Sequence, residues 1–269
     1  EPSQEKMDSV DDKWKDSMDD YNVMLVTIGR SSTENGTYLP GVDGVDASQD
    51  LNQTDPLGLS DDERDLINAA VEAKENNGGK VIVMLNNANA MEIDEIKNNE
   101  GVDAIMEIGL PGAYGFYGVA DVLSGEANPS GHLTDTYVVT NANSPAAQNF
   151  GNYAWTNADP SVNINAEEVE AEGIYTGYKY YETRYADTVL GQGNADAKVG
   201  SSTGKAWDYD SEVSYPFGYG LSYTTFEQTL KSVDVDLENR TVTAEVEVEN
   251  TGDVAGKDVV QLYTSVPYT

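Results

Sequence analysis

Residues 21–36 read YNVMLVTIGRSSTENG, and the reading of this stretch decides the fold. Val23, Met24, Leu25, Val26 and Ile28 form a short apolar run that stops at Gly29 and gives way to polar residues. Such a run predicts a strand buried on both faces, as in a parallel sheet. In open α/β sheets, ligands collect in the crevice outside the carboxyl ends of the strands. Arg30, Ser31, Ser32, Thr33 and Glu34 are placed there by the chain order. Taken alone, the segment is explained more simply as a solvated βα loop, because connecting loops run over the surface.

The chain around this stretch repeats the pattern. Val81–Leu85 is a second buried strand, ending in Asn86-Asn87, and Val102 to Ile108 is a third, broken by Gly109-Leu110-Pro111-Gly112. Between the first two, Ser60-Asp61-Asp62-Glu63 is a capping box that starts a helix. Leu66, Ile67, Ala70 and Val71 continue that helix to a stop at Asn76-Asn77-Gly78-Gly79. A short helix at about 90–98 and another through Val119–Leu123 complete a βαβαβα order, which argues for a parallel sheet with helices on both faces. Asn128-Pro129-Ser130-Gly131 is a turn, and His132 to Val139 reads as a further strand. Ahead of the first strand, Met7, Val10, Trp14 and Met18 space an amphipathic helix over residues 2–19.

Residues 141–220 are rich in Asn, Gly and Tyr and allow no assignment. After Phe226 the texture changes. Val233–Leu237, Val242–Val248 and Val259–Tyr263 read as strands of an antiparallel module, with Asn250-Thr251-Gly252 as a turn. An immunoglobulin-like sandwich needs about 100 residues, so the stretch from 226 to 269 reads as the beginning of one.

Composition narrows the chemistry. With 15 Lys+Arg against 48 Asp+Glu, the chain carries a formal charge of −33. That charge repels nucleic-acid phosphates and anionic membranes, and no apolar run reaches the roughly 18 residues of a membrane span. Neither nucleic acid nor membrane is therefore an expected partner. The absence of cysteine removes disulfides, thiol catalysis and Cys-ligated zinc. A single histidine, His132, excludes a multi-histidine metal site and leaves carboxylates, tyrosines and backbone groups as the chemical equipment. Seventeen tyrosines against four phenylalanines suit a sugar face, and equally a half-exposed β surface. Asp43, Asp46, Ser48 and Asp50 do not match calcium-loop spacing, so no metal and no cofactor is expected. GRSSTENG lacks the G-x-G-x-x-G pattern of a dinucleotide fold. The start, EPSQEKMDSV, has no initiator methionine and no signal-peptide pattern, and reads as a piece of something larger.

Four stretches together resemble glycoside hydrolase family 3. GLPGAYGFYGVADVLSGEANPSGHLTDTY (109–137) resembles that family's LPGQ-E-G…ADVL-G…NPSGKLP-TF segment. EGIYTGYKYYETR (172–184) resembles EGIYVGYRYY, and YPFGYGLSYTTFE (215–227) resembles FPFGYGLSYT-F. ENTGDVAGKDVVQLY (249–263) resembles the start of the family's fibronectin-type-III-like module. The resemblance implies a six-stranded, mainly parallel α/β sandwich over residues 1–225, then a truncated fibronectin-type-III-like segment over 226–269. It implies a retaining β-glycosidase acting on a β-linked glycoside or oligosaccharide. The aspartate nucleophile of such enzymes lies on a (β/α)8 barrel of the same parent chain, and that barrel's nucleophile motif is absent here. Alone, the chain is expected to be inactive. The alternative is a non-catalytic carbohydrate-binding or scaffold domain of a degenerate family member.

The same resemblance implies site residues. The family's acid/base is often a Glu after the first strand, in a segment like R-x-SGEG-DR. Arg30-Ser31-Ser32-Thr33-Glu34-Asn35-Gly36 stands at that place, with Glu34 at the acid position. Thr33 replaces the small glycine, and Thr37-Tyr38 stand where the Asp-Arg pair is expected. Arg30 and Ser32 are candidates to bond sugar hydroxyls or to position the loop. Tyr38 and Tyr114 are candidates to stack on an aglycone or simply to pack as half-buried aromatics. Glu126, Glu168, Glu170 and Glu172 are competing acids. For Glu172 a structural role is favoured, because Gly173 and Gly177 suggest close backbone packing. His132, beside the NPSG turn, is expected to be structural.

Overall fold

The structure is a computed structural model, and it describes residues 13–30, 57–149, 170, 172–192 and 206–264. The architecture is mixed α/β, with a parallel sheet and antiparallel strand pairs. The described residues fall into two compact units. One is drawn from the chain up to Leu110 together with Asp135–Pro216, the other from Pro111–Thr134 together with the residues from Phe217 onward.

In the first unit, β1 (Val23–Gly29), β2 (Lys80–Asn86) and β3 (Ala104–Glu107) form a three-stranded parallel sheet in that order. Leu25 pairs with Ile82 and Met84 with Met106, which brings all three carboxyl ends to one edge. β2 is central and meets the expectation of burial on both faces: Val81, Val83, Met84 and Leu85 are all buried. β1 does not. Met24, Val26 and Ile28 face the core, while Val23 and Leu25 are 50% and 48% exposed. A strand with one covered face alternates in this way, even though its sequence is apolar on both faces up to Thr27.

The helix α2 (Asp61–Asn77) follows its sequence signals closely. Ser60 Oγ accepts from Glu63 N (3.1 Å), and the Glu63 carboxylate accepts from Ser60 N (2.8 Å). Gly78 ends the helix at φ +72°, a left-handed turn that favours glycine. Glu63, Ile67, Ala70 and Ala73 form its buried stripe. At the amino edge of the sheet, Asp103 accepts from Lys80 Nζ (2.8 Å), Lys74 Nζ (2.8 Å) and Val81 N (2.9 Å). The Lys74 and Lys80 ammonium groups hold its carboxyl well below the usual carboxylate range. Its ionised form therefore stabilises the fold at neutral pH, and that contribution fades as pH falls below the ordinary aspartate value of 3.8. Asp103→Asn should lower the unfolding free energy by roughly 0.5–1 kcal/mol at pH 7. Denaturant melts at descending pH should show the gap from wild type closing in acid.

Other elements depart from the sequence reading. The 13–18 stretch is helical (α1, Lys13–Met18), and the expected helix near 90–98 is one turn, α3 (Asp94–Lys97). The strand expected over 132–139 is only β4 (Tyr137–Val138), and just before it the Thr136 N–H bonds Asp135 Oδ1 (2.8 Å) rather than a neighbouring strand. β4 pairs antiparallel with β5 (Val213–Tyr215). The stretch left unassigned contains α5 (Pro145–Asn149), α6 (Tyr178–Thr188) and α7 (Tyr209–Glu212). Tyr181 of α6, Trp207, Val138 of β4 and Val213 of β5 form a small core, flanked by Tyr180, Tyr185 and Tyr209.

The second unit holds α4 (Gly112–Ser124) and a long hairpin of β6 (Phe226–Asp236) and β7 (Thr241–Asn250). Its register sets apolar against apolar: Val235 on Val242, Val233 on Ala244 and Leu230 on Val246. Residues 259–263, expected as a strand, pair with no strand among the described residues. There the Gln228 amide donates to Asp258 Oδ2 (2.6 Å) and Val259 O (3.1 Å), a side-chain link in place of the expected ladder.

Candidate active site

The carboxyl edge of the sheet is built from the residues that end its strands. Arg30 follows β1 and is buried. Its Nη1 donates to Gly29 O (2.8 Å) and to Glu63 Oε1, and its Nη2 donates to Glu63 Oε2 (2.8 Å) and Gly58 O (2.7 Å). This is a forked ion pair, the geometry for which a planar guanidinium is suited. Arg30 thereby links the end of β1 to Gly58 and to Glu63 of α2. Ser32, Glu34 and Tyr38 lie outside the described residues, as do Glu168 and the stretch from Asp43 to Asp50.

At the ends of β2 and β3, Asn86 Nδ2 donates to Gly109 O (2.5 Å) and Ile108 N donates to Leu85 O (3.0 Å). Glu107 accepts from Tyr137 Oη (2.7 Å) and Gly109 N (2.7 Å). Partial desolvation at the strand end pushes the Glu107 carboxyl pKa up, against the downward pull of those two bonds, although the residue as a whole remains exposed. Burial and the neighbouring carboxylate raise the Tyr137 phenol as well. Glu107 is thus an acid at the carboxyl edge that the sequence reading missed. An acid ending the otherwise apolar strand AIME is the signal that could have found it.

Glu172 is the other carboxyl of interest. It begins a turn in which Tyr175 N donates to Glu172 O (3.0 Å), just ahead of α6. Its Oε2 is buried and has no hydrogen-bond partner among the described residues. Leaving such an oxygen unmet costs about 1–3 kcal/mol or more, and such a group in a native fold is explained by strain, by a bound water or ion, or by a catalytic role. The packing argument for a structural Glu172 does not hold. A Cβ on Gly173 would meet nothing within 4 Å, and one on Gly177 only Asp135 Oδ1 at 3.5 Å, an ordinary contact. Both glycines serve positive φ, +58° and +53°, which turns the chain into α6. Of the other competing acids, Glu126 and Glu170 are exposed. Tyr114 is 83% exposed on α4, so the half-buried packing expected for it is not met. Among the described residues no group of three or more His, Asp or Glu is arranged to hold a metal ion, and no helix is long and apolar enough to cross a membrane.

Residues 4–223 match the glycosyl hydrolase family 3 C-terminal domain. The chain belongs to glycosyl hydrolase family 3. It is 29% identical over 250 residues to the thermostable beta-glucosidase B of Acetivibrio thermocellus, covering 92% of this chain and 27% of that protein. It is 31% identical over 191 residues to a beta-glucosidase of Ruminococcus albus, covering 71% of this chain and 16% of that one. The solved structure of beta-glucosidase 3B from Thermotoga neapolitana in complex with glucose superposes with a TM-score of 0.64 at 29% identity, over 94% of this chain and 29% of that one. The chain therefore spans about a quarter or less of the length of these curated relatives.

Two family 3 motifs explain each other within the second unit. Asn128 of the NPSG turn accepts from Ser222 Oγ and Tyr223 N (2.8 Å each), and its amide donates to Ala255 O (3.0 Å). Leu133 N donates to Tyr219 O and Gly218 N to Leu133 O, both at 2.8 Å. Gly220 sits against this turn: a Cβ there would lie 2.3 Å from Gly131 O, a backbone atom. Gly220→Ala should destabilise by roughly 1–3 kcal/mol, since a well-packed site must shift to admit it; a thermal melt checks this. His132 lies in the same turn, with Nδ1 3.1 Å from Ser130 O and Nε2 3.7 Å from Asp258.

Proposed function

We propose that this chain is the part of a retaining β-glucosidase that brings the general acid/base to a nucleophile carried on a separate (β/α)8 barrel of the same parent. The observation that carries the reading is the family 3 match over residues 4–223, together with relatives named beta-glucosidases that are several times longer. Retaining hydrolysis needs two carboxyl groups about 5–5.5 Å apart, one attacking the anomeric carbon and one protonating the leaving oxygen and then activating water. The substrate in this reading is a β-linked glucoside or oligosaccharide. Residues 1–225 form the α/β sandwich domain, and 226–269 begin a fibronectin-type-III-like module.

Two carboxyls compete for the acid/base role. The family resemblance supports Glu34, with Ser32 and Tyr38 of the same loop contacting the sugar and Arg30 anchoring the loop. The buried Oε2, without a partner among the described residues, supports Glu172, whose position on a turn of positive-φ glycines shapes the backbone without fixing the carboxyl. The test is turnover by the intact parent on aryl β-glucosides, beside the isolated 269-residue chain. Release of the aryl alcohol by the parent and none by the chain is expected. Sugar binding without turnover by the parent would overturn the reading in favour of a non-catalytic carbohydrate-binding domain.

A further inference from the structure

We infer that Glu107 binds sugar hydroxyls at the carboxyl edge of the sheet, and that Tyr137 is the residue that positions its carboxylate. The inference rests on the β-glucosidase reading and adds a substrate contact to it. Glu107 is the last residue of β3, beside Leu85 of the central strand β2. This is the edge outside which ligands collect in open α/β sheets. Two donors hold its carboxylate. Tyr137 of β4 donates its hydroxyl to Oε2 (2.7 Å). Tyr137 is buried and pairs with Tyr215 of β5, so this donor is fixed from a distant part of the chain. Gly109 N donates to Oε1 (2.7 Å), and Asn86 at the end of β2 ties the same glycine down by donating to Gly109 O (2.5 Å). Gly109 has φ +56°, and a Cβ on it would meet nothing within 4 Å. The glycine thus serves the turn that brings its N–H onto Glu107, and not close packing.

The result is one oriented carboxylate on a residue that stays exposed. An ionised carboxylate offers about four acceptor positions, and Tyr137 and Gly109 take two of them. The positions left over suit O–H donors, whose bonds to a carboxylate are short and roughly twice as strong as neutral ones. Adjacent hydroxyls of a neutral glycoside supply such donors in pairs. Anionic ligands are disfavoured by the chain's formal charge of −33.

The test sets variants of the intact parent against monodeoxy aryl β-glucosides, each lacking one hydroxyl. Wild type should lose about 10–100-fold in kcat/KM on the analogue without the hydroxyl that Glu107 binds. Glu107→Gln should lose a similar factor on the full glucoside and little more on that analogue, because the two changes remove one contact. Its loss should not grow with the pKa of the leaving group, which separates binding from proton donation. Tyr137→Phe keeps the ring and removes the hydroxyl that fixes the carboxylate. It should lose roughly 3–10-fold, with the same dependence on that one hydroxyl. Circular dichroism and a melt establish that each variant is folded, and if Glu107→Gln fails that check, Tyr137→Phe carries the same comparison. A folded Glu107→Gln variant at the wild-type kcat/KM, or one whose loss is equal on every analogue, would overturn the assignment, the second result marking a purely structural bond. A Tyr137→Phe variant at the wild-type rate would overturn its positioning role. A wild-type parent that turns over none of these glucosides contradicts the β-glucosidase reading itself, and the assignment falls with it.

Discussion

Glu172→Ala in the intact parent is expected to lower kcat/KM on an alkyl β-glucoside by about 10²–10⁴-fold, the usual contribution of a positioned proton donor. On a dinitrophenyl β-glucoside the first step should be nearly unimpaired, because that leaving group departs without protonation. The loss should therefore grow with the pKa of the leaving group. This pattern belongs to an acid/base residue and not to a misfolded loop, which would depress all substrates together. The argument starts from one atom. Glu172 Oε2 is shut away from solvent with no donor from the described residues facing it, on a turn where a Cβ at Gly173 would meet open space. The same variant should be no less stable than wild type, which a melt checks.

Leu85→Ala is expected to lower the unfolding free energy of the first unit by about 3 kcal/mol. Leu85 is 1% exposed on the central strand β2, beside Ile28 of β1 and Glu107 of β3. Its truncation leaves a cavity in the most fully enclosed part of the sheet, and the strands on either side are tied to it by ladder bonds and cannot collapse inward. Urea melts should show the midpoint moving with little change in slope. The matching change on the outer face of β1, Leu25→Ala, should cost far less, because Leu25 is already 48% exposed.

The alternation on β1 marks the limit of what its sequence reveals. VMLVTIG names a strand, and its ends were legible within a residue or two, as were those of β2 and the capped helix α2. Local chemistry fixes such features: apolar runs, a Ser-x-x-Glu box, a glycine at φ +72°. Which face of β1 is covered depends on neighbours distant in the chain. Helix α6 was illegible for a related reason. YKYYETRYADT is poor in strong helix formers, and its tyrosines are held by Trp207 and Tyr209 from another part of the chain. The run from 259 to 263 looks like a strand by content alone, and it forms no ladder with any described strand.

The candidate site divides along the same line. The carboxyl edge was legible, because it follows from where the apolar runs end. The roles of its residues were not, because they depend on partners. Glu63 and Gly58, the partners of Arg30, come from beyond its own segment and are not visible from its neighbours in sequence. Glu107 ends an apolar strand in plain view, but its bond to Tyr137, thirty positions later, is not visible from its own segment. Gly173 and Gly177 read as close packing, and the empty space beside Gly173 shows that their sequence signal is conformational.

The most direct test is azide rescue in the intact parent. Glu172→Ala and Glu34→Ala are assayed on an activated aryl β-glucoside with and without sodium azide, and the products are identified. The account predicts that azide accelerates the slow variant and yields β-glucosyl azide, marking the removed carboxyl as the acid/base of a retaining enzyme. Rescue in Glu172→Ala is the expected result, and rescue in Glu34→Ala would move the role to the loop. Two variants that both turn over at the wild-type rate, with no azide product, would contradict the claim that this chain supplies the acid/base.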